Sequence, residues 1–234
     1  MEKTRIVTIS REFGSGGREI GRKLGEALGF AYYDRELLTL AAKRAEVREE
    51  LLADKDEKAA NPWLFKGFYE GGPKVKQGQS AEDVLYDMQS EIILELAEKG
   101  DCIIVGRCAD HVLESKHVDC LGLFICAPFD WRVHHRMEIE NVDEKTAAAL
   151  VEKTDKQREK YYTHYTARPW GLPENYDLCI NSARLTGERQ DHGKHQREAG
   201  RSLLHVYSLF RGKYRISAPV FIIQRWIFYR SFEF

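Results

Sequence analysis

Three glycines within four residues, Gly14, Gly16 and Gly17, follow directly on a short β-branched run, Arg5-Ile-Val-Thr-Ile-Ser10. Glycines let the backbone turn so that successive N–H groups aim at one point. A helix N-terminus placed there adds positive potential, and the two together bind phosphate. The loop runs from Ser10 to Glu19 and carries Ser15, Arg18 and Glu19 beside its glycines. The plainer alternative is a tight strand-to-helix turn with no ligand, but the position right behind a strand favours phosphate binding. The loop departs from the Walker A pattern G-x-x-x-x-G-K-[ST]. With Gly16 as the second glycine, Arg11 stands at the first, Gly17 at the lysine and Arg18 at the hydroxyl residue. Arg18 is then the nearest substitute for the lysine. Glu19 and Ser15 are the nearest groups for magnesium, with a site elsewhere in the chain left open.

Two further groups of cations fit the same chemistry. Arg107 follows Gly106 at the end of the apolar run Cys102-Ile-Ile-Val-Gly106, with Asp110 close behind. An arginine at the C-terminal end of a parallel strand faces the ligand crevice, and its planar fork suits a phosphate. A surface salt bridge is the plainer alternative. Lys153, Lys156, Arg158 and Lys160 lie in a long charged segment, Asp143 to Tyr165. On a helix Lys153, Lys156 and Lys160 share one face, where lid cations can neutralise charge during phosphoryl transfer. The interleaved Glu152, Asp155 and Glu159 equally suit a solvated helix. His134 and His135 are adjacent and point to different helix faces, so they make no metal pair. Asp130, Arg132 and Arg136 have the spacing of ion pairs along one helix, a structural role. No metal-ligand set is singled out.

The elements that must position these groups alternate. The first strand and its glycine loop lead into a helix, Glu19 to Leu28, with Gly29 at the place of a C-cap. Phe30 to Asp34 reads as a short strand or connector, and Arg35 to Leu52 is rich in helix formers. From Ala53 to Ser80 the pattern dissolves into charges, glycines and aromatics, as in a functional insert. Ser80-Ala-Glu-Asp83 has the form of a capping box opening a helix to Lys99. Strands follow at 102–106 and 120–126, with a short helix at 107–114 between them. A helix begins at Pro128 to Asp130 and runs to about Glu140, and the last clear strand is Tyr176 to Ile180. Strands alternating with helices predict an α/β fold with a parallel sheet flanked by helices. No internal repeat is present.

The chain has 234 residues, 43% hydrophobic and 31% charged, with a formal net charge of −1. That suits one α/β domain with a small insert and excludes a disordered chain. No apolar run reaches membrane-spanning length, and the N-terminus lacks the order of a signal peptide, so a cytoplasmic location is expected. The five cysteines form no Cys-x-x-Cys pair and are expected to be buried reduced thiols. Residues 184–234 differ from the rest. They carry 10 Lys and Arg against 4 Asp and Glu, whereas the remainder carries 26 against 33. This basic, aromatic tail has no clean amphipathic period. It fits a partner-binding or loosely packed extension, or a shifted reading frame, better than a nucleic-acid or membrane surface, because its cations are scattered.

Ile9 to Ile20, followed by Leu28-Gly-Phe-Ala-Tyr-Tyr-Asp-Arg-Glu-Leu37, resembles the cytidylate kinase-like family. So do Val105-Gly-Arg-Cys-Ala-Asp110, Asp155-Lys-Gln-Arg-Glu-Lys-Tyr-Tyr162 and Tyr176-Asp-Leu-Cys-Ile-Asn-Ser182. The resemblance covers about residues 4 to 185. It implies a P-loop-type three-layer fold over 1–185, with a nucleoside monophosphate-binding insert at about 53–80, a helical lid at about 143–168 and an atypical extension at 186–234. The glycine loop (Gly14, Ser15, Gly16, Gly17, Arg18, Glu19) would hold the β- and γ-phosphates of ATP. Asp34, Arg35, Gly106, Arg107 and Asp110 would meet the acceptor. Arg18, Arg107, Lys153, Arg158 and Lys160 would stabilise the transferring charge, and Mg2+ would bridge the ATP phosphates. Cytidylate kinases continue after the Asp34 position with Thr-Gly or Ser-Gly; this chain has Arg35-Glu36. The implied activity is phosphoryl transfer from ATP to a nucleoside monophosphate, CMP or dCMP first. A kinase for another small acceptor and a non-catalytic nucleotide-binding regulatory module are the alternatives. The expected partners are small nucleotides, with a homodimer left open.

Overall fold

The computed structural model describes residues 5–34, 37 and 81–184. Five strands form one sheet: β1 (Ile6–Arg11), β2 (Ala31–Tyr33), β3 (Cys102–Val105), β4 (Leu121–Cys126) and β5 (Leu178–Asn181). Their order is β2-β3-β1-β4-β5, and every pairing is parallel. The helices are α1 (Gly17–Leu28), α2 (Ala81–Lys99), α3 (Ala109–Ser115), α4 (Phe129–Glu140) and α5 (Glu144–Thr166). The segments expected as an insert and as a C-terminal extension lie outside the described residues, as does Arg35.

The sheet is buried on both faces, which is why its strands read as apolar runs rather than as alternating patterns. Side chains still alternate. Ile6 of β1 and Cys102 and Ile104 of β3 pack with Ile92, Ile93 and Leu96 of α2 and with Val112 and Leu113 of α3. Val7, Ile9, Ile103, Val105, Leu123 and Ile125 face the other way, onto Ile20, Leu24 and Leu28 of α1. A smaller cluster, Val133, Ala147 and Val151 with Phe13, joins α4 to α5 beside the glycine loop. The result is three layers, helix–sheet–helix, with β1 at the centre.

Helix ends follow the sequence signals. Gly29 takes the left-handed conformation at the C-cap of α1 and donates its N–H to the Gly25 carbonyl. Asp143 caps α5 by accepting from the Thr146 N–H at 2.6 Å. α1 begins two residues earlier than the apolar spacing suggests, because Gly17 and Arg18 complete its first turn. The cysteines meet the expectation of burial only in part, and Cys120 and Cys126 are half-buried. Cys102 and Cys108 are buried, but Cys179 is exposed. Its strand is an edge of the sheet, so burial of the run is incomplete. Among the described residues no helix is long and apolar enough to cross a membrane.

The start of β1 is tied to β3 by one ion pair. The Asp101 carboxylate accepts from the Arg5 backbone N–H at 2.7 Å and from Arg5 Nε at 2.8 Å. Burial pulls the Asp101 pKa up, but the hydrogen bonds from Arg5 outweigh it and leave it below its ordinary value. A carboxyl with a depressed folded pKa stabilises fully above its unfolded pKa of about 3.9, and that contribution is lost as pH falls through the folded value. Asp101→Asn is therefore expected to lower stability by about 1 kcal/mol at pH 7 in urea unfolding. The difference from wild type shrinks only below the ordinary carboxylate range.

Candidate functional site

β1 ends at Arg11, and residues 12–16 form the loop that leads into α1. The first backbone bond of that helix runs from the Ile20 N–H to the Gly16 carbonyl at 3.0 Å. The N–H groups of Gly17, Arg18 and Glu19 therefore precede the helical ladder and face out of its N-terminus. Gly14 adopts φ +82°, and a Cβ there would lie 2.8 Å from the Arg132 carbonyl oxygen, so only glycine fits.

The loop is gripped from outside by α4 and α5. Arg132 is buried and its Nη1 donates to the Phe13 carbonyl at 3.0 Å, while Nε donates to the Ala127 carbonyl at 3.0 Å. Nη1 also meets Asp155, and Nε lies 3.3 Å from Glu12. Asp155 in turn accepts from the Phe13 N–H at 2.7 Å, and Glu12 accepts from the Ala127 N–H at 2.9 Å. Burial raises the Glu12 pKa against the pull of the Ala127 N–H and Arg132. His135 Nδ1 lies 2.7 Å from the Gly14 carbonyl; a carbonyl only accepts, so Nδ1 carries the hydrogen. The expected local pairing of Arg132 with Asp130 gives way to this long-range network. Arg136 pairs along its helix with Glu140 instead, and His134 with Glu138.

Among the described residues at the crevice, cations outnumber anions. Arg18 Nε lies 2.7 Å from one oxygen of Asp34, and Arg11 Nη2 lies 3.6 Å from the other. Arg158 Nη1 donates to the Arg11 carbonyl at 2.8 Å. Burial lowers the Arg11 pKa to about 10, with Asp34 opposing and Arg18 and Arg107 adding to the shift. Burial, and then the field of Arg11, also push Arg158 well below its ordinary value. A guanidinium does not give up its proton in a protein. Four guanidinium groups this close together, Arg11, Arg18, Arg107 and Arg158, favour an anion among them.

The turn that presents Arg107 is unusual. Gly106, Arg107 and Cys108 have φ of 77°, 61° and 54°, a left-handed run in which each non-glycine residue costs about 1–2 kcal/mol. It turns β3 sharply into α3. Asp110, in the first turn of α3, accepts from the Tyr162 hydroxyl of α5 at 2.8 Å, and burial raises its pKa. Next to it, Tyr161 donates to Gln89 Oε1 at 3.3 Å. Gln89 is 0% exposed, and its amide nitrogen is buried without a partner.

The structure thus gathers Gly14, Gly16, Gly17, Arg18, Glu19, Asp34, Gly106, Arg107, Asp110 and Arg158 at the C-terminal end of the sheet. It sets Lys153 and Lys160 apart. Val151, Thr154 and Tyr162 are the buried face of α5, and Lys153, Lys156 and Lys160 are exposed on the opposite face, lining a shallow depression with Glu152 and Gln157. Arg158 comes inward because it lies between Thr154 and Tyr162. Ser15 is 0% exposed, and its hydroxyl donates to the Glu12 carbonyl at 2.9 Å. Glu19 pairs with Lys23 on the surface of α1. Arg11 is the residue that sequence reasoning noted only as a departure. Its place at the end of the central strand was the available signal.

The residues fit a polyphosphate: free helix-terminal N–H groups and a surplus of guanidinium forks. They do not make a built magnesium site. Among the described residues no group of three potential ligands comes together, Ser15 is turned away, and Asp34 is engaged by two arginines.

This sheet order, the helices on both faces and the glycine loop between the central strand and a helix define a P-loop-type three-layer α/β protein. The chain belongs to the cytidylate kinase-like family, whose model matches residues 6–184. Membership makes it a kinase-like, nucleotide-binding protein. The crystal structure of an uncharacterized protein from Eubacterium ventriosum ATCC 27560 is 28% identical, with 87% of this chain and 97% of that chain covered and a TM-score of 0.56. Shikimate kinase from Bacteroides thetaiotaomicron is more distant, at 13% identity, 89% and 99% coverage and a TM-score of 0.48. Shikimate kinase from Acinetobacter baumannii, in complex with shikimate, is 14% identical with 89% and 96% coverage and a TM-score of 0.43. No curated protein matches the chain.

Arg132 holds the loop through Phe13, Glu12 and Asp155 together. Arg132→Met leaves two partly buried carboxylates without their cation, and it is expected to reduce stability by about 3 kcal/mol. Urea unfolding checks this: the midpoint falls with an unchanged slope, and an unmoved midpoint would remove Arg132 from this role.

Proposed function

We propose that the protein transfers the γ-phosphoryl group of ATP to a nucleoside monophosphate, with CMP or dCMP as the first candidates. The observation that carries this reading is the arginine surplus beside the open N-terminus of α1. The loop from Gly14 to Gly17, with the start of α1 at Arg18 and Glu19, receives the β- and γ-phosphates. Arg107, beside Gly106, meets the acceptor phosphate, with Asp34 and Asp110 on the acceptor side. An acceptor phosphate oxygen attacks the γ-phosphorus in line, the bond to the β–γ bridging oxygen breaks, and ADP leaves. Such a transfer needs positioning and charge neutralisation more than covalent help, and Arg18, Arg107 and Arg158 supply the charge. Lys153 and Lys160 act from the outer face of α5 and are assigned no contact with the phosphates. Mg2+ accompanies the nucleotide, and no residue is assigned to it. The cytoplasm, where ATP is plentiful, is the proposed location.

One observation favours a second reading, a kinase for another small acceptor. Both oxygens of Asp34 are turned toward arginines, which leaves that carboxylate little freedom to recognise a base.

The test is ADP release from Mg-ATP across a panel of nucleoside monophosphates. Turnover with CMP or dCMP is expected. Loss of one bidentate phosphate contact in Arg107→Ala is expected to lower kcat/KM about ten- to hundred-fold. ATP binding with no turnover on any nucleoside monophosphate would remove the nucleotide acceptor. Release restored by a different small acceptor would establish the second reading.

A further inference from the structure

The usual P-loop lysine is missing because Gly17 occupies its position, yet the space beside Gly17 is not vacant. A Cβ built on Gly17 would lie 2.7 Å from Cβ and 3.0 Å from Cγ of Arg11. Contacts that close do not occur between real atoms, so a side chain at 17 and the arginine stem at 11 exclude one another. The guanidinium of Arg11 continues to the end of β3 and lies against Gly106. A Cβ on Gly106 would fall 2.2 Å from Arg11 Nη1. Gly17 and Gly106 are therefore two walls of a slot that fits the arginine.

The contents of the slot point to a ligand. The Arg11 side chain is only 14% exposed. Its Nε is buried without a hydrogen-bond partner, and its carboxylate neighbour stands at 3.6 Å, beyond a good charge-assisted hydrogen bond. Arg18 is placed differently. It is 49% exposed and has taken the other oxygen of Asp34 at 2.7 Å. Of Arg11 and Arg18, the second is paired and outward. The other is enclosed, underpaired and next to the free N–H groups of the helix N-terminus.

We infer that Arg11 is the cation that binds the β- and γ-phosphates in place of the P-loop lysine. The charge has moved from the helix start to the strand end, and Gly17 and Gly106 are the glycines that make room for it. This rests on the phosphoryl-transfer reading. It gives Arg11 the part that the linear pattern gives to Arg18. The two substitutions relative to Walker A form one exchange: arginine enters at 11 only where 17 has no side chain.

The interdependence of positions 11 and 17 gives the test. Full-length wild type, Arg11→Met, Arg11→Lys, Gly17→Lys and the double variant Arg11→Ala/Gly17→Lys are compared, with Arg22→Ala on the surface of α1 as a control. Equilibrium binding of ATP and AMP is measured for each, together with a thermal melt. Arg11→Met keeps the apolar stem and is expected to melt near wild type. It should bind ATP about ten- to hundred-fold more weakly, with AMP affinity changed far less. Arg11→Lys should recover part of that loss. Gly17→Lys should melt below wild type because of the overlap with Arg11. The double variant should melt above Gly17→Lys and bind ATP more tightly than Arg11→Met. The inference is overturned if folded Arg11→Met binds ATP like wild type, or if the double variant improves on neither comparison. Wild type that binds no ATP would instead sink the phosphoryl-transfer reading, and the role of Arg11 with it.

Discussion

The candidate site depends on a buried cation that grips the glycine loop from outside the crevice. Arg132 fixes the peptide of Phe13, the carboxylate of Glu12 and the carboxylate of Asp155 in one hydrogen-bonded knot. Glycine-rich loops are entropically expensive to hold in one shape. Here the loop's own bonds are few, and α4 and α5 supply the rest. With the loop fixed, α1 starts where its N–H groups open onto the crevice, and Arg11 leaves the sheet at a defined angle. A guanidinium suits this task because its donors fan out in a plane and reach several acceptors at once.

The second organising feature is imbalance. Burying like charges together is unfavourable unless something of opposite sign is present. Asp34 serves Arg18 and, more loosely, Arg11, while Arg158 is held by a backbone carbonyl. A protein that keeps such an arrangement accepts instability in the empty crevice. The strained turn at Gly106 to Cys108 belongs to the same pattern, since it turns the chain at the point where Arg107 is needed.

Much of this was visible in the linear sequence. Apolar or β-branched runs marked four of the five strands and left β2 as a short strand or connector, Gly29 marked the end of α1, and the glycine loop and Gly106-Arg107 fell where a parallel sheet keeps its ligands. The remainder depended on contacts between distant residues. The acid nearest to Arg132 in its own helix is Asp130, two residues away and on another face, and nothing local reveals that Glu12 and Asp155 are its partners. In α5 the regular spacing of Lys153, Lys156 and Lys160 drew attention to the exposed face. The buried series Val151, Thr154 and Tyr162 has the same periodicity, and Arg158 falls within it, so that signal was present but outweighed by charge. Arg11 was visible as an anomaly. Its meaning needed Gly17 and Gly106, one of them about a hundred residues away.

The position of β1 has a consequence for synthesis. This strand pairs with β3 and β4, in registers such as Ile6 with Cys102 and Val7 with Leu121. Its partners leave the ribosome more than ninety residues later. At typical translation rates, Ile6, Val7 and Ile9 wait on the order of ten seconds before either neighbour exists. Parallel pairing over such separations is slow even for a complete chain. The strand that leads into the glycine loop is therefore made well before its partners, and in the nascent chain it is a natural segment for a holdase chaperone to cover.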